Sequence, residues 1–229
     1  MTTKSKTVLT AYEKLAPEIQ QRILNASADV FAKEGYHHAS VANICSAAKI
    51  SNGALYKYFK NKEAVFFAVL DSSIILVEDI YKKYLVSGAP FFEAIENLLN
   101  GLAEYACEHK YYTCIYSDLG SSSMNRFAFI ASEKFKTASS FYTLRLVKEA
   151  KRNSEIDSDL DENMAAYLVD NYITCFSYSM VSQYHKSRFN SFFARDGSSP
   201  DQKEMIRVIV LSIRQAFGRH DIKSCSDRE

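Results

Sequence analysis

Apolar residues return every three or four positions along most of this 229-residue chain, and no stretch alternates in the way a half-buried strand requires. In residues 17–35, "PEIQQRILNASADVFAKEG", Ile19, Ile23, Ala26 and Val30 form one stripe that Phe31 adjoins. Pro17 suits the first turn of that helix and Gly35 a left-handed stop. Ser40 can cap a short second helix with Val41, Ile44, Cys45 and Ala48 on one face, and Ser51 a third anchored by Leu55 and Phe59. Two helices this short can bury their stripes only against another. Asn61 then caps a fourth helix that runs to Gly88, and Pro90 opens a fifth that ends near Lys110. A short aromatic piece, "YYTCIYSDL", precedes a serine-rich turn and one long helix expected from about Met124 to Arg152. Asp161 caps the segment through Ser187, and Ser199, Pro200 and Gln202 form a capping-box pattern for the last helix. The pattern predicts an all-α protein of about nine helices: a basic arm at 1–14, a three-helix unit at 15–62 and a larger helical body at 63–229.

Composition sharpens this at one point. The net charge is only +1, yet residues 1–62 hold nine Lys/Arg against four Asp/Glu, while the remainder holds nineteen against twenty-three. A basic N-terminal unit on a slightly acidic body is an electrostatic footprint for nucleic acid. The first ten residues, "MTTKSKTVLT", lack the apolar run of a secretory signal, and no run approaches the roughly 18 apolar residues of a membrane span. A cytoplasmic protein with no membrane partner is expected. Five scattered cysteines (Cys45, Cys107, Cys114, Cys175, Cys225) do not make a disulfide framework, and no metal-ligand spacing occurs, so neither metal nor cofactor is expected. Nucleophile-elbow, phosphate-loop, zinc-protease and dinucleotide motifs are all missing, and the five histidines have no acidic or nucleophilic neighbours at useful spacing. An enzyme is not expected.

Residues 51–63, "SNGALYKYFKNKE", concentrate two tyrosines and three lysines around a glycine in a helix too short to stand alone. As the second half of a helix-turn-helix the segment makes sense: Leu55 and Phe59 anchor it, and the opposite side faces the major groove. Asn52 can pair with adenine, Lys57 can reach guanine, and Ala54 can touch a thymine methyl. Gly53 costs helix stability by about 1 kcal/mol relative to alanine but lets a duplex approach without a Cβ in the way. Tyrosine hydroxyls and lysine ammoniums suit phosphate oxygens, which fix register rather than read sequence.

The run "GYHHASVANICSAAKISNGALYKYFKNKEAV" closely resembles the N-terminal signature of the TetR/AcrR family of one-component transcriptional regulators. Gly35, Tyr36, Ser40, Val41, Ile44, Ala48, Ser51, Gly53, Leu55, Tyr56, Tyr58, Phe59, Lys62 and Glu63 occupy the corresponding places. Lys49 departs from it, standing where the family usually has a turn glycine, and Cys45 replaces the usual alanine. The resemblance implies double-stranded DNA as partner, with Ser40, Tyr56, Tyr58 and Lys62 on phosphates. It also implies a homodimer through the last two helices. The stripes Ala165, Leu168, Val169, Tyr172, Phe176 and Ile206, Ile209, Val210, Ile213, Phe217 suit such a bundle, or an intramolecular core.

For the body, aromatic side chains between helices can line an apolar pocket. Candidates for an effector site are Tyr105, His109, Tyr112, Tyr116, Phe127, Phe135, Tyr142, Asn171, Tyr172 and Phe176, and the lack of like-charge clusters among them favours a neutral or weakly acidic, hydrophobic small molecule. A repressor released from a palindromic operator by such a ligand is the expected function. The alternative is a DNA-binding dimer with no small-molecule effector, architectural or controlled by a partner.

Overall fold

A computed structural model of the chain describes residues 10–86, 88–135, 139–194 and 198–219. Over these it is helical: α1 (Thr10–Glu13), α2 (Pro17–His38), α3 (Val41–Ala48), α4 (Asn52–Tyr58), α5 (Lys62–Leu85), α6 (Phe91–Glu108), α7 (Lys110–Asp118), α8 (Asn125–Phe135), α9 (Phe141–Arg152), α10 (Glu162–Val181), α11 (Gln183–Phe193) and α12 (Gln202–Phe217). A 3-10 turn, Ser122–Met124, leads into α8.

The helix starts follow local chemistry. Ser40, Ser51, Asn61 and Asp161 each accept from the backbone N–H three residues on, at 3.0, 3.1, 2.9 and 2.8 Å. Gly35 bends α2 at φ 71, ψ 158, a region essentially closed to other residues. Lys49 ends α3 in the left-handed conformation, φ 55, ψ 47, at a cost on the order of 1–3 kcal/mol for a residue with a side chain. On α6, Gly101 permits close approach to α5, since a Cβ there would overlap the Tyr84 ring.

The helices exceed the nine expected because several segments break or form locally. Residues 10–13, inside the segment read as an arm, make α1, which lays Tyr12 against Phe59 with ring centroids 4.9 Å apart. Residues 136–138 of the long helix expected over 124–152 lie outside the described residues, and its two ends serve different cores. Met124, Phe127 and Ala131 pack toward the N-terminal module, whereas Tyr142, Leu146, Val147 and Ala150 pack into the distal body. Ser182 ends α10 in an extended conformation and caps α11 instead. Asp201, not Ser199, caps α12, accepting from Glu204 N at 2.8 Å.

The three-helix module does not stand free. Its core residues Ile23, Phe31, Ile44, Leu55 and Phe59 continue into Phe66, Tyr105, Ile115 and Phe127 of the body. The first turns of α5 are buried on every side from Ala64 to Leu70, as befits a helix apolar all round. A second core gathers α6, α9, α10 and α12 around Leu98, Leu99, Val147, Val169, Ile206 and Ile213.

Candidate nucleic-acid interface and interior cavity

α4 is held by Leu55 and Phe59, both fully buried, and turns Asn52, Gly53, Tyr56 and Lys57 to solvent. Ala54 and Tyr58 are half-buried, with the Tyr58 ring 6.3 Å from that of Tyr12. The surface around Gly53 is open: a Cβ there would meet only the Ser51 hydroxyl, at 4.0 Å. The glycine is therefore not required by packing within the chain. Ser40 begins α3 with its hydroxyl engaged in the cap, and Asn43 behind it donates to both Glu34 carboxylate oxygens at 2.9 and 3.0 Å.

Lys62 is placed differently from the outward phosphate contact that the sequence suggests. Its ammonium turns back onto the bend that ends α2, donating to the carbonyls of Tyr36 (2.8 Å), His37 (3.3 Å) and Ala39 (2.9 Å). It also lies 4.6 Å from the Tyr36 ring centroid. Carbonyls freed by the Gly35 bend need donors, and a cation at a helix C-terminus supplies them. Nearby, Arg126 pairs with Glu63, and His37 meets the Ser123 carbonyl at 3.0 Å, so the α2 bend is tied to α5 and α8.

The body holds a small interior cavity of ≈ 60 Å³ between α5, α6, α7 and α10. Its wall carries the hydroxyls of Ser73, Tyr81, Tyr105, Thr113, Tyr116, Ser139, Thr174, Ser177 and Tyr178 among Val77, Leu102 and Ile173. Burial pushes the phenol of Tyr116 up to about 12 and those of Tyr81, Tyr105 and Tyr178 upward as well, so all are neutral donors. Ser73 and Tyr105 share a hydrogen bond of 3.1 Å, while Thr113 Oγ1 is buried with no partner among the described residues.

The ten effector-site candidates do not converge. Tyr105 and Tyr116 line the cavity. Tyr112 instead faces α2, donating to Asn25 at 2.9 Å and accepting from Gln21 at 3.2 Å, and His109 sits against the rings of Tyr105 and Tyr112. Phe127 fills the proximal core beside Tyr36 and Phe66, and Tyr142 the distal one, because close-packed aromatics at helical spacing close gaps rather than leave them. The side chain of Phe135 lies outside the described residues. Asn171, Tyr172 and Phe176 border an outer groove of ≈ 350 Å³ between α10, α11 and α12, lined also by Leu168, Phe189, Phe192, Phe193 and Val208. Of the wall residues that the sequence reading passed over, Ile173, Thr174, Ser177 and Tyr178 recur on one face of α10, a spacing that was visible in the sequence.

Among the described residues no group of three His, Cys, Asp or Glu side chains could hold a metal, and no helix is long and apolar enough to cross a membrane.

Residues 23–69 match the family model for bacterial regulatory proteins, tetR family. The HTH-type transcriptional regulator UidR of Escherichia coli strain K12 is 42% identical over 55 residues, 24% of this chain and 28% of that protein. The A-factor receptor protein of Streptomyces griseus is 31% identical over 96 residues, 42% of this chain and 32% of its own length. These matches span less than a third of each curated relative. Similarity of fold extends further. The fatty acid degradation regulator FadR of Bacillus halodurans superposes with a TM-score of 0.68 over 87% of this chain and 96% of its own, at 18% identity. FadR of Bacillus subtilis, solved with stearoyl-CoA, gives 0.65 over 84% and 96% at 15% identity.

Proposed function

We propose that this chain, whose residues 23–69 match the tetR family model and whose fold is similar to that of such regulators, is a sequence-specific DNA-binding repressor released from a palindromic operator by a hydrophobic small molecule. The observation that carries this reading is α4: seven residues, too short to persist unaided, anchored by Leu55 and Phe59 and presenting Asn52, Gly53, Tyr56 and Lys57 outward. Asn52 and Lys57 would read base edges with Ala54 beside a thymine methyl, and Tyr56, Tyr58 and the start of α3 at Ser40 would approach phosphates. Lys62 would act on DNA through the α2 bend it holds. We take residues 15–62 as the DNA-binding domain and 63–229 as the effector and dimerisation domain, packed together at the first turns of α5.

Dimerisation would use the α10–α11–α12 face, where Leu168, Tyr172, Phe192 and Leu211 are exposed. Leu211→Glu should leave a monomer in light scattering; an unchanged dimer would move the interface elsewhere.

α7 is the element best situated to couple effector to DNA. Thr113 and Tyr116 face the cavity, while Tyr112 and Ile115 are fixed against α2 and the proximal core. A ligand that widened the cavity would push α7 and tilt α2 with α3 and α4, changing the separation of two reading helices in a dimer. That requires tighter ligand binding to the DNA-incompetent state, with a coupling typically about 1–3 kcal/mol. A cavity of ≈ 60 Å³ is well below the roughly 300–1,000 Å³ of most ligand sites, which favours an effector-free DNA-binding dimer as the second reading. The stearoyl-CoA complex of a fold neighbour supports the first. The test is fluorescence anisotropy on duplexes from the gene's upstream region and a scrambled control at two salt concentrations. Tight, salt-dependent binding to one duplex supports the repressor, and equal weak binding to a broad duplex library would sink it.

A further inference from the structure

One contact between the body and the helix-turn-helix is polar and directional. Tyr112 on α7 is only 3% exposed, and its hydroxyl reaches across to α2, donating to Asn25 at 2.9 Å and accepting from Gln21 at 3.2 Å. Gln21 also donates to Asn25, one turn on, at 2.7 Å, so three side chains close a ring of hydrogen bonds between the two helices. Burial raises the phenol's pKa, which keeps on it the proton that it donates. Further along the same pair of helices, Lys33 lies 5.5 Å from the Tyr111 ring centroid, a contact open to solvent and correspondingly weaker.

α2 carries the reading helix. Ile23, Phe31, Ile44 and Leu55 share one core, so a rotation of α2 takes α3 and α4 with it. Apolar contact is non-directional, whereas a hydrogen bond weakens steeply with angle and is lost beyond about 3.5 Å, so the ring at Tyr112 fixes α2 on the body to within about 1 Å. In a two-fold dimer the placement of each module sets the distance between reading helices. One base pair rises about 3.4 Å, so a shift of about 1.7 Å in each subunit changes the matching spacer by one base pair, which is coarser than the ring allows.

We propose that Tyr112 is a positioning residue for operator choice: by holding Gln21 and Asn25 it fixes the half-site spacing that the dimer accepts, from outside the residues that touch DNA. The inference rests on the reading of the chain as a dimeric DNA-binding regulator and adds what sets its spacer. It holds with or without an effector.

The test is selection of duplexes from a random library by the full chain, followed by fluorescence anisotropy on the selected site with its spacer lengthened or shortened by one base pair. The wild-type chain should lose about tenfold or more in affinity on either altered spacer, as one or two strained hydrogen bonds in each subunit warrant. Tyr112→Phe keeps the ring and removes the hydroxyl; it should select the same half-site sequence yet lose under about threefold on changing the spacer. Asn25→Ala, at an exposed position, should behave alike and serves should the Tyr112 variant fold poorly. Ser73→Ala, which breaks the bond to Tyr105 within the body, should keep the wild-type spacing preference. Wild-type discrimination in both ring variants, or equal loosening in Ser73→Ala, overturns the inference while keeping the regulator. Selection of unpaired half-sites by the wild-type chain overturns it together with the dimer, and no selected sequence at all overturns the regulator reading beneath it.

Discussion

In the N-terminal module each short helix is started by a side chain that reaches its own backbone, Ser40 to Asn43 and Ser51 to Ala54. In the body, by contrast, Thr113 Oγ1 in the cavity wall and Asp170 Oδ1 on α10 lie buried with no hydrogen-bond partner among the described residues. The module is specified by local chemistry and a small shared core, so its exposed polar groups sit on a fixed frame. The body is held by broad aromatic packing that leaves polar atoms uncommitted inside. The contrast matches the two tasks proposed: a rigid reader that presents groups outward, and a chamber whose polar groups await a partner.

The largest effect should come from attacking the frame. Leu55→Ala removes a fully buried side chain from the helix proposed to read bases and should cost about 2–5 kcal/mol in urea unfolding, with loss of specific DNA binding. A loss under about 1 kcal/mol would mean that the module tolerates a slack reading helix and that the contrast with the body is overdrawn.

Next is Lys62→Met, which keeps the aliphatic stem and removes the donor to three carbonyls. Stability should fall by about 1.5–3 kcal/mol, since hydrogen bonds to charged groups carry that much. DNA affinity should weaken with an unchanged salt slope. A slope shallower by about 1 with little change in stability would restore the lysine to a phosphate.

Gly53→Ala separates folding from function. With open space at its Cβ, the variant should gain about 1 kcal/mol of stability. Affinity for the specific duplex should drop while that for the scrambled control stays. If affinity rose along with stability, the glycine would have no part in letting a duplex approach.

The smallest effect concerns the body's acid. Burial holds the Asp170 carboxyl above the usual carboxylate range, so the folded chain binds this proton more tightly than the unfolded one. Stability is therefore lost as pH rises from the ordinary value through the folded one. Asp170→Asn removes that loss and should raise the melting temperature at pH 7, the gain shrinking toward pH 4. A lower melting temperature at pH 7 would show that the carboxylate is satisfied within the chain and that the two regions do not differ in this respect.

Much of the module was legible because its signals are local. The caps at Ser40, Ser51 and Asn61 and the anchors Leu55 and Phe59 follow from residues within one or two turns of each other. The effector candidates scattered because an aromatic at helical spacing carries no mark of whether it closes a gap or borders one. Phe127 closes one and Tyr116 borders one.

The sequence by itself determined an all-helical chain, the reading helix with its outward residues, and the apolar stripes of α10 and α12, since periodicity and capping depend on neighbours along the backbone. Only the tertiary structure decided that Lys62 turns inward to the α2 bend, that residues 124–152 divide between two cores, and that Asp170 Oδ1 is buried without a hydrogen-bond partner among the described residues. Each of these depends on groups brought together from distant segments, and the energy of burying a charge or filling a gap is set by what packs around it in three dimensions.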